Sequence, residues 1–362
     1  MSNAGLLAGP RTIARMVKQT YASIWAKAVN RGVKSITRET LRSGARAVQR
    51  GMKPALDKRK PPPGAGDWIA GVAIGAFGTR RFRLYRPCGV RFGERLPLMV
   101  MLHGCSQDAK SFATATRMNR IAERERFFVL YPEQDRLANP QGCWNWFDTK
   151  TGRAYGEASL IMKAIDQVCL MYPVDRGCVA VSGLSAGASM AALLVMRHPE
   201  RFRAVVMHSG IPPGAAHSTM TALGAMHGLR TPTPPRPAPL SAARSWPPLM
   251  VIHGGVDRVV SANNAHAAVQ VWAEAAGARA ARPRTVQRGN RYASTVTDFH
   301  RRGSAVATLV EIGRLGHAWS GGAPGQAFSD GRGPCASRMA WAFATRQFRC
   351  RTRTSTAASV PD

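Results

Sequence analysis

A serine hydroxyl attacks an ester carbonyl only when a base removes its proton and a carboxylate orients that base. The chain carries residue types at a spacing that suits all three roles. Gly183-Leu184-Ser185-Ala186-Gly187 is a G-x-S-x-G. It follows the short β-branched run 178–182, a strand pattern, and precedes the small and straight-chain residues 188–196, which favour a helix. In that setting the motif reads as a nucleophile elbow, with glycines where strand and helix backbones crowd and Ser185 projecting from the turn. Asp257 comes just after the expected strand Leu249–His253, behind Gly254-Gly255-Val256. His317 lies in Gly316-His317-Ala318-Trp319, after the expected strand Ala307–Ile312. Ser185 is thus the expected nucleophile, His317 the base and later the acid, and Asp257 the carboxylate that fixes the imidazole tautomer.

An oxyanion needs two backbone donors near the nucleophile. One is expected from Ala186, the residue after the serine. The other is expected from Cys105, in His103-Gly104-Cys105-Ser106-Gln107 after the strand Leu96–Leu102. His103, His208 and His253 also end strands, but each falls ahead of Asp257 in the chain and reads as a packed structural histidine. Asp298 and Asp330 stand as competing carboxylates. The loop Gly142-Cys143-Trp144-Asn145-Trp146-Phe147 holds three aromatics in four positions. Trp144 and Trp146 are expected to wall an acyl or polymer site, with a core role as the alternative, and Trp319 is a further wall candidate. No metal-ligand spacing and no G-x-G-x-x-G opening a helix is seen, so no metal and no cofactor is expected.

These residues need elements to position them. Two strands flank Phe77-Gly78-Thr79 as an antiparallel hairpin, and strand and helix patterns then alternate. The expected helices are Ser111–Arg124, Glu157–Met171, Ala262–Ala275 and Cys335–Phe348, and the expected strands include Phe127–Tyr131 and Ala204–His208. This implies an α/β protein: a mostly parallel central sheet with helices on both faces, and active groups at the carboxyl ends of the strands. The order Ser, Asp, His is that of α/β-hydrolases. Residues 212–248 interrupt the rhythm with a proline-rich excursion.

The catalytic domain is expected over 67–349, after a Pro/Gly linker at 61–66, with a disordered tail at 350–362. Residues 1–60 differ from the rest, carrying fourteen Lys/Arg against two acids. Ile13, Val17, Tyr21, Ile24 and Trp25 fall on one helical arc, and Arg38, Arg42, Arg46 and Arg50 form a basic stripe. A basic amphipathic helical arm suits an anionic granule or membrane surface, or nucleic acid; a solvated arm packed loosely on the domain is the alternative. The whole chain of 362 residues carries a formal charge of +31, which implies an anionic partner or a codon bias towards arginine. No run reaches membrane-spanning length and no secretory signal is recognised. Seven cysteines in an odd set point to a reducing compartment, so a cytoplasmic, granule-associated location is expected.

Five blocks together resemble the polyhydroxybutyrate depolymerase family of esterases. They are Leu102-His103-Gly104-Cys105, Gly142 through Phe147, Gly183 through Gly187, His253-Gly254-x2-Asp257 and Gly316-His317-Ala318-Trp319-Ser320-Gly321-Gly322. The resemblance covers about 67–349. It implies an α/β-hydrolase fold, ester hydrolysis through an acyl-enzyme without a cofactor, and the triad and oxyanion residues named above. Cys335 stands where similar sequences often carry Asp. The implied substrate is a hydroxyalkanoate polyester or its oligomers. A feruloyl or acetylxylan esterase, or a general carboxylesterase, is the alternative. A granule- or nucleic-acid-binding protein with a hydrolase-like domain is a second.

Overall fold

A computed structural model describes residues 61–233 and 246–357, with side chains through Arg349. The expected arm at 1–60, the middle of the proline-rich excursion and residues 358–362 lie outside the described residues.

Strands β1 (Asp67–Gly75) and β2 (Gly78–Arg86) pair antiparallel around a turn at Ala76-Phe77. Arg80, Phe82 and Leu84 are buried while Arg81 between them is exposed and Arg83 half-buried, the period-two pattern of a strand with one face on the core. The strands β3 (Leu96–Leu102), β4 (Phe128–Pro132), β5 (Val174–Leu184), β6 (Ala204–His208) and β7 (Leu249–Gly254) form the centre, parallel to one another. Short strands β8 (Arg279–Ala280) and β9 (Arg284–Val286) and the longer β10 (Ser294–Arg301) and β11 (Ser304–Ile312) complete the far edge. The order is β1-β2-β4-β3-β5-β6-β7-β11-β10-β8, with β9 also on β10. β11 joins β7 in parallel and turns back antiparallel onto β10.

The helices are α1 (Ala109–Thr116), α2 (Met118–Glu125), α3 (Arg153–Met171), α4 (Ala186–Arg197), α5 (Thr219–Met226), α6 (Asn263–Ala276) and α7 (Ala336–Ala357). Two of them correct the sequence reading. The single helix expected over Ser111–Arg124 is broken at Arg117, which adopts a left-handed conformation (φ 53°) and caps α1 through its N–H on Ala113 O. The tail expected to be disordered from residue 350 continues α7 to Ala357.

Alternate residues of the central strands feed two cores. Leu98, Val100, Val181 and Val205 face one side, with α3 and α4; Met99, Met101, Ala180 and Val206 face the other, with α1, α2 and α7. Burial of each such Leu, Val or Met side chain contributes about 1.5–3 kcal/mol. The strands are apolar on both faces because helices cover both. A rigid sheet therefore fixes the ends of β3, β5, β6 and β7, where the candidate site assembles.

Candidate active site

Ser185 sits between the end of β5 and the start of α4 with φ 55° and ψ −121°, a conformation that costs a non-glycine residue on the order of 1–3 kcal/mol. The neighbouring glycines make this turn possible. A Cβ on Gly183 would lie 2.4 Å from the Gly187 carbonyl group, and one on Gly187 would lie 2.2 Å from Leu102 O. The Ser185 N–H is anchored on His208 O at 2.8 Å, and its carbonyl accepts from Ala188 and Ser189 N–H. Its backbone is thereby held in place at the pocket that the residue lines.

Asp257 lies in the turn after β7. Its Oδ1 accepts from the N–H groups of Val259 and Val260, both at 2.9 Å, and its Oδ2 accepts from His317 Nδ1 at 2.8 Å. The carboxylate side chain has no exposed surface and that of His317 is 5% exposed. Burial alone would raise the Asp257 pKa. The charge and hydrogen bond of His317, His253 nearby and the Val260 N–H outweigh it and hold the carboxyl well below its usual range. The two loops also approach through backbone: a Cβ on Gly254 would come within 2.2 Å of Leu315 O.

Ser185 and His317 line one cleft with Cys105, Ala186, Trp146 and Phe328. Ile211, Met226, Val259 and Val260 supply further apolar wall. Cys105 N–H lies between two engaged neighbours: Gly104 N–H donates to Gln107 Oε1, and Ser106 N–H to Gln141 O. Ala186 is the first residue of α4, where helix N–H groups lack intrahelical partners and favour negative charge.

The remaining expectations separate. Trp146 lines the cleft, but Trp144 and Trp319 do not. Trp144 is fully buried, donates from Nε1 to His103 O and lies under the Arg80 guanidinium. Trp319 is fully buried against Phe112 and His208 and donates to Ser337 Oγ. Both indoles fill core. Asp298 pairs with Arg284 and Thr308 on β10, and Asp330 accepts from Arg332 N–H, so Asp257 is the carboxylate on His317. His103, His208 and His253 are each 1% exposed or less. Burial depresses His103 to about 4 and His208 to about 3.

Two features escaped the sequence reading. Cys105 and Cys143 form a disulfide, which corrects the view of the cysteines as thiols of a reducing compartment. Among the described residues Cys88, Cys169 and Cys335 are free thiols. The pairing joins two loops 38 residues apart in sequence, a proximity only the fold reveals. The second feature is Glu157 on α3. It accepts from Asn145 N–H (2.9 Å), Asn145 Nδ2 (2.6 Å) and Gln134 Nε2 (2.7 Å), and so pins the loop that carries Trp146. Its signal was a carboxylate on the buried face of a helix. Among the described residues no group of three or more His, Cys, Asp or Glu could hold a metal, and no helix is long and apolar enough to cross a membrane.

Sheet order, elbow and strand-end loops define an α/β-hydrolase fold. In agreement, acetyl xylan esterase from Aspergillus awamori superposes with a TM-score of 0.53 at 19% identity, over 69% of this chain and 94% of that one. Residues 80–287 match the family described as esterase PHB depolymerase, and the chain belongs to that family. Poly(3-hydroxyalkanoate) depolymerase C of Paucimonas lemoignei is 30% identical over 156 residues, 42% of this chain and 37% of that protein. Acetylxylan esterase A of Emericella nidulans is 25% identical over 245 residues, 64% of this chain and 79% of that protein. The chain thus spans little more than a third of the depolymerase but most of the xylan esterase.

Proposed function

We propose that this protein is a serine esterase that hydrolyses hydroxyalkanoate polyester or its oligomers through an acyl-enzyme. The observation that carries the reading is the 2.8 Å His317–Asp257 hydrogen bond in the cleft that Ser185 lines from its strained elbow. Asp257 holds the imidazole with Nδ1 protonated, so Nε2 is the basic atom. In the reaction His317 Nε2 takes the Ser185 proton as Oγ bonds to the ester carbonyl carbon. The oxyanion is stabilised by the N–H groups of Cys105 and Ala186. His317 then protonates the departing alkoxide as its C–O bond breaks. Water, deprotonated by the same imidazole, attacks the acyl-enzyme, releasing the acid and regenerating Ser185.

The substrate class rests on the family and on the apolar wall formed by Trp146, Ile211, Met226 and Phe328. A second reading, an acetylxylan or feruloyl esterase with the same chemistry, is favoured by the wider match to acetylxylan esterase A. The arm at 1–60, with fourteen Lys/Arg, would hold the enzyme at an anionic granule or membrane surface, with nucleic acid as the weaker partner. The Cys105–Cys143 disulfide favours an oxidising compartment and so weighs against a cytoplasmic location.

The test is a hydrolysis panel of amorphous polyhydroxybutyrate, hydroxybutyrate oligomers, acetylated xylan, feruloyl esters and short p-nitrophenyl esters, beside Ser185→Ala. Turnover of polyester or oligomers above the others supports the proposal; preference for acetylated xylan or feruloyl esters selects the second reading. Full activity in Ser185→Ala overturns both.

A further inference from the structure

A second and larger groove lies apart from the cleft and shares no lining residue with it. Its floor is one face of the sheet edge. Met250 on β7 registers with Thr308 on β11, Val310 with Val296 on β10, and Ser294 with Val286 on β9. These alternate positions all line the groove. Helix α6 covers the opposite face, packing on β7, β11 and β10, while α7 lies over β5, β6 and β7. The helical layer on the groove side thus thins out beside α7, over β11 and β10.

The rims are basic. Eight arginines line the groove against a single carboxylate, Asp298. Arg117, Arg120 and Arg124 come from α2 and its N-cap, and Arg338 and Arg346 from α7. The others lie across the floor on β9 and its following loop. Arg284 is paired with Asp298, and Arg291 donates to Gly331 O and Gly333 O. Arg120 and Arg338 are exposed and face no acid among the lining residues.

We propose that this groove docks an acidic amphipathic helix of a partner protein, laid beside α7 over β11 and β10. Its volume of about 780 Å³ is far larger than that of the cleft. A helix about 10 Å across would continue the layer at ordinary packing distance. Its apolar stripe meets Val296 and Met339, both half-buried, and acids on its two flanks meet the arginines of both rims. Charge rejects the nearer occupants. The arm at 1–60 carries the sign of the groove, and so does a second copy of a chain at +31. A flat lipid surface does not enter a concavity. A nucleic acid backbone would pair with the rims yet leave the apolar floor without a partner.

The test uses the full chain and four probes. The first is a fluorescent helical peptide with a leucine stripe flanked by glutamates. The others are a scrambled peptide of equal composition, duplex DNA, and vesicles containing phosphatidylglycerol. The groove variant is Arg120→Glu with Arg338→Glu, both surface changes, and its hydrolysis of a soluble p-nitrophenyl ester should match wild type. The amphipathic peptide should bind wild type at least tenfold more tightly than the scramble and lose at least tenfold in the variant, while the scramble, held by the arm, changes little. Unchanged binding of the amphipathic peptide to the variant overturns the proposal. Equal affinity for the two peptides does so too, as does a loss in the variant confined to DNA or vesicles.

Discussion

Cys105 and Cys143, with Cα atoms 4.3 Å apart, tie the loop after β3 to the aromatic loop that carries Trp146. One disulfide thereby joins a proposed oxyanion donor to a wall of the cleft. Closing a loop of this length restricts the unfolded chain by roughly 4 kcal/mol in the chain-entropy model. Cys105→Ser with Cys143→Ser should therefore unfold at lower denaturant concentration, with a loss of about 2–4 kcal/mol. If Cys105 N–H is a donor, kcat should fall more than KM rises, because the donor acts on the transition state. Unchanged unfolding and unchanged kcat would show that the bond holds nothing in place.

The two tryptophans of that loop should behave differently. Trp144 is packed on His103 and Arg80, so Trp144→Ala should cost roughly 3–5 kcal/mol of stability and affect all substrates alike. Trp146 is buried too but lines the cleft, so Trp146→Ala should weaken long acyl and polymeric substrates more than an acetyl ester. Denaturant curves and a chain-length series of esters distinguish the two. A matching substrate profile for both variants would count against Trp146 as an acyl wall.

Asp257 should matter through orientation. Asp257→Asn can present its amide N–H to His317 and so favour the wrong tautomer. Activity on a short ester should fall by about 10³–10⁴-fold with far-UV circular dichroism unchanged. Near-wild-type activity would remove Asp257 from the proposed triad and return attention to the carboxylate nearest to His317 in solution.

The placement of Ser185 at the end of β5 and of Asp257 beside His317 was legible because its signals are local: glycines two residues on either side of Ser185, and acid and base each just past a strand. The central strands were equally plain, since short β-branched runs between helices have few other homes. The edge was not. Residues 279–301 carry six Arg and lack apolar alternation, and β8, β9 and β10 exist by pairing outward from β11. The break at Arg117 carries no glycine, so nothing in composition marks it. The disulfide and the Glu157 network join segments 38 and 12 residues or more apart, and only the packed fold brings them together. Trp144 and Trp146 differ by which way the loop turns them, a distinction their spacing alone did not settle.

Buried histidines should set the acid limit of stability. His103 Nε2 accepts from Gln134 N–H, and His208 Nε2 accepts from Ser320 N–H, so both rings are held neutral. Desolvation, for His208 together with the nearby His253 and His317, lowers the pKa from 6.5 to about 4 for His103 and about 3 for His208. Between the unfolded and folded values the unfolded chain binds more protons, so stability falls as pH falls. The loss begins near pH 6.5 and continues to about 4 for His103 and about 3 for His208. Each unit of displacement corresponds to about 1.4 kcal/mol, so the pair together removes several kcal/mol. Asp257 acts in the same direction at lower pH: its depressed pKa stabilises the fold above the ordinary carboxylate range and is lost as the folded value is approached. His208→Gln keeps an acceptor for Ser320 N–H but cannot take up a proton. Its midpoint should be lower than wild type at pH 7, where stacking on Trp319 is lost, yet should fall less steeply between pH 6.5 and 4. Urea unfolding at half-unit pH steps measures both slopes. Parallel slopes for wild type and variant would show that His208 does not titrate on unfolding.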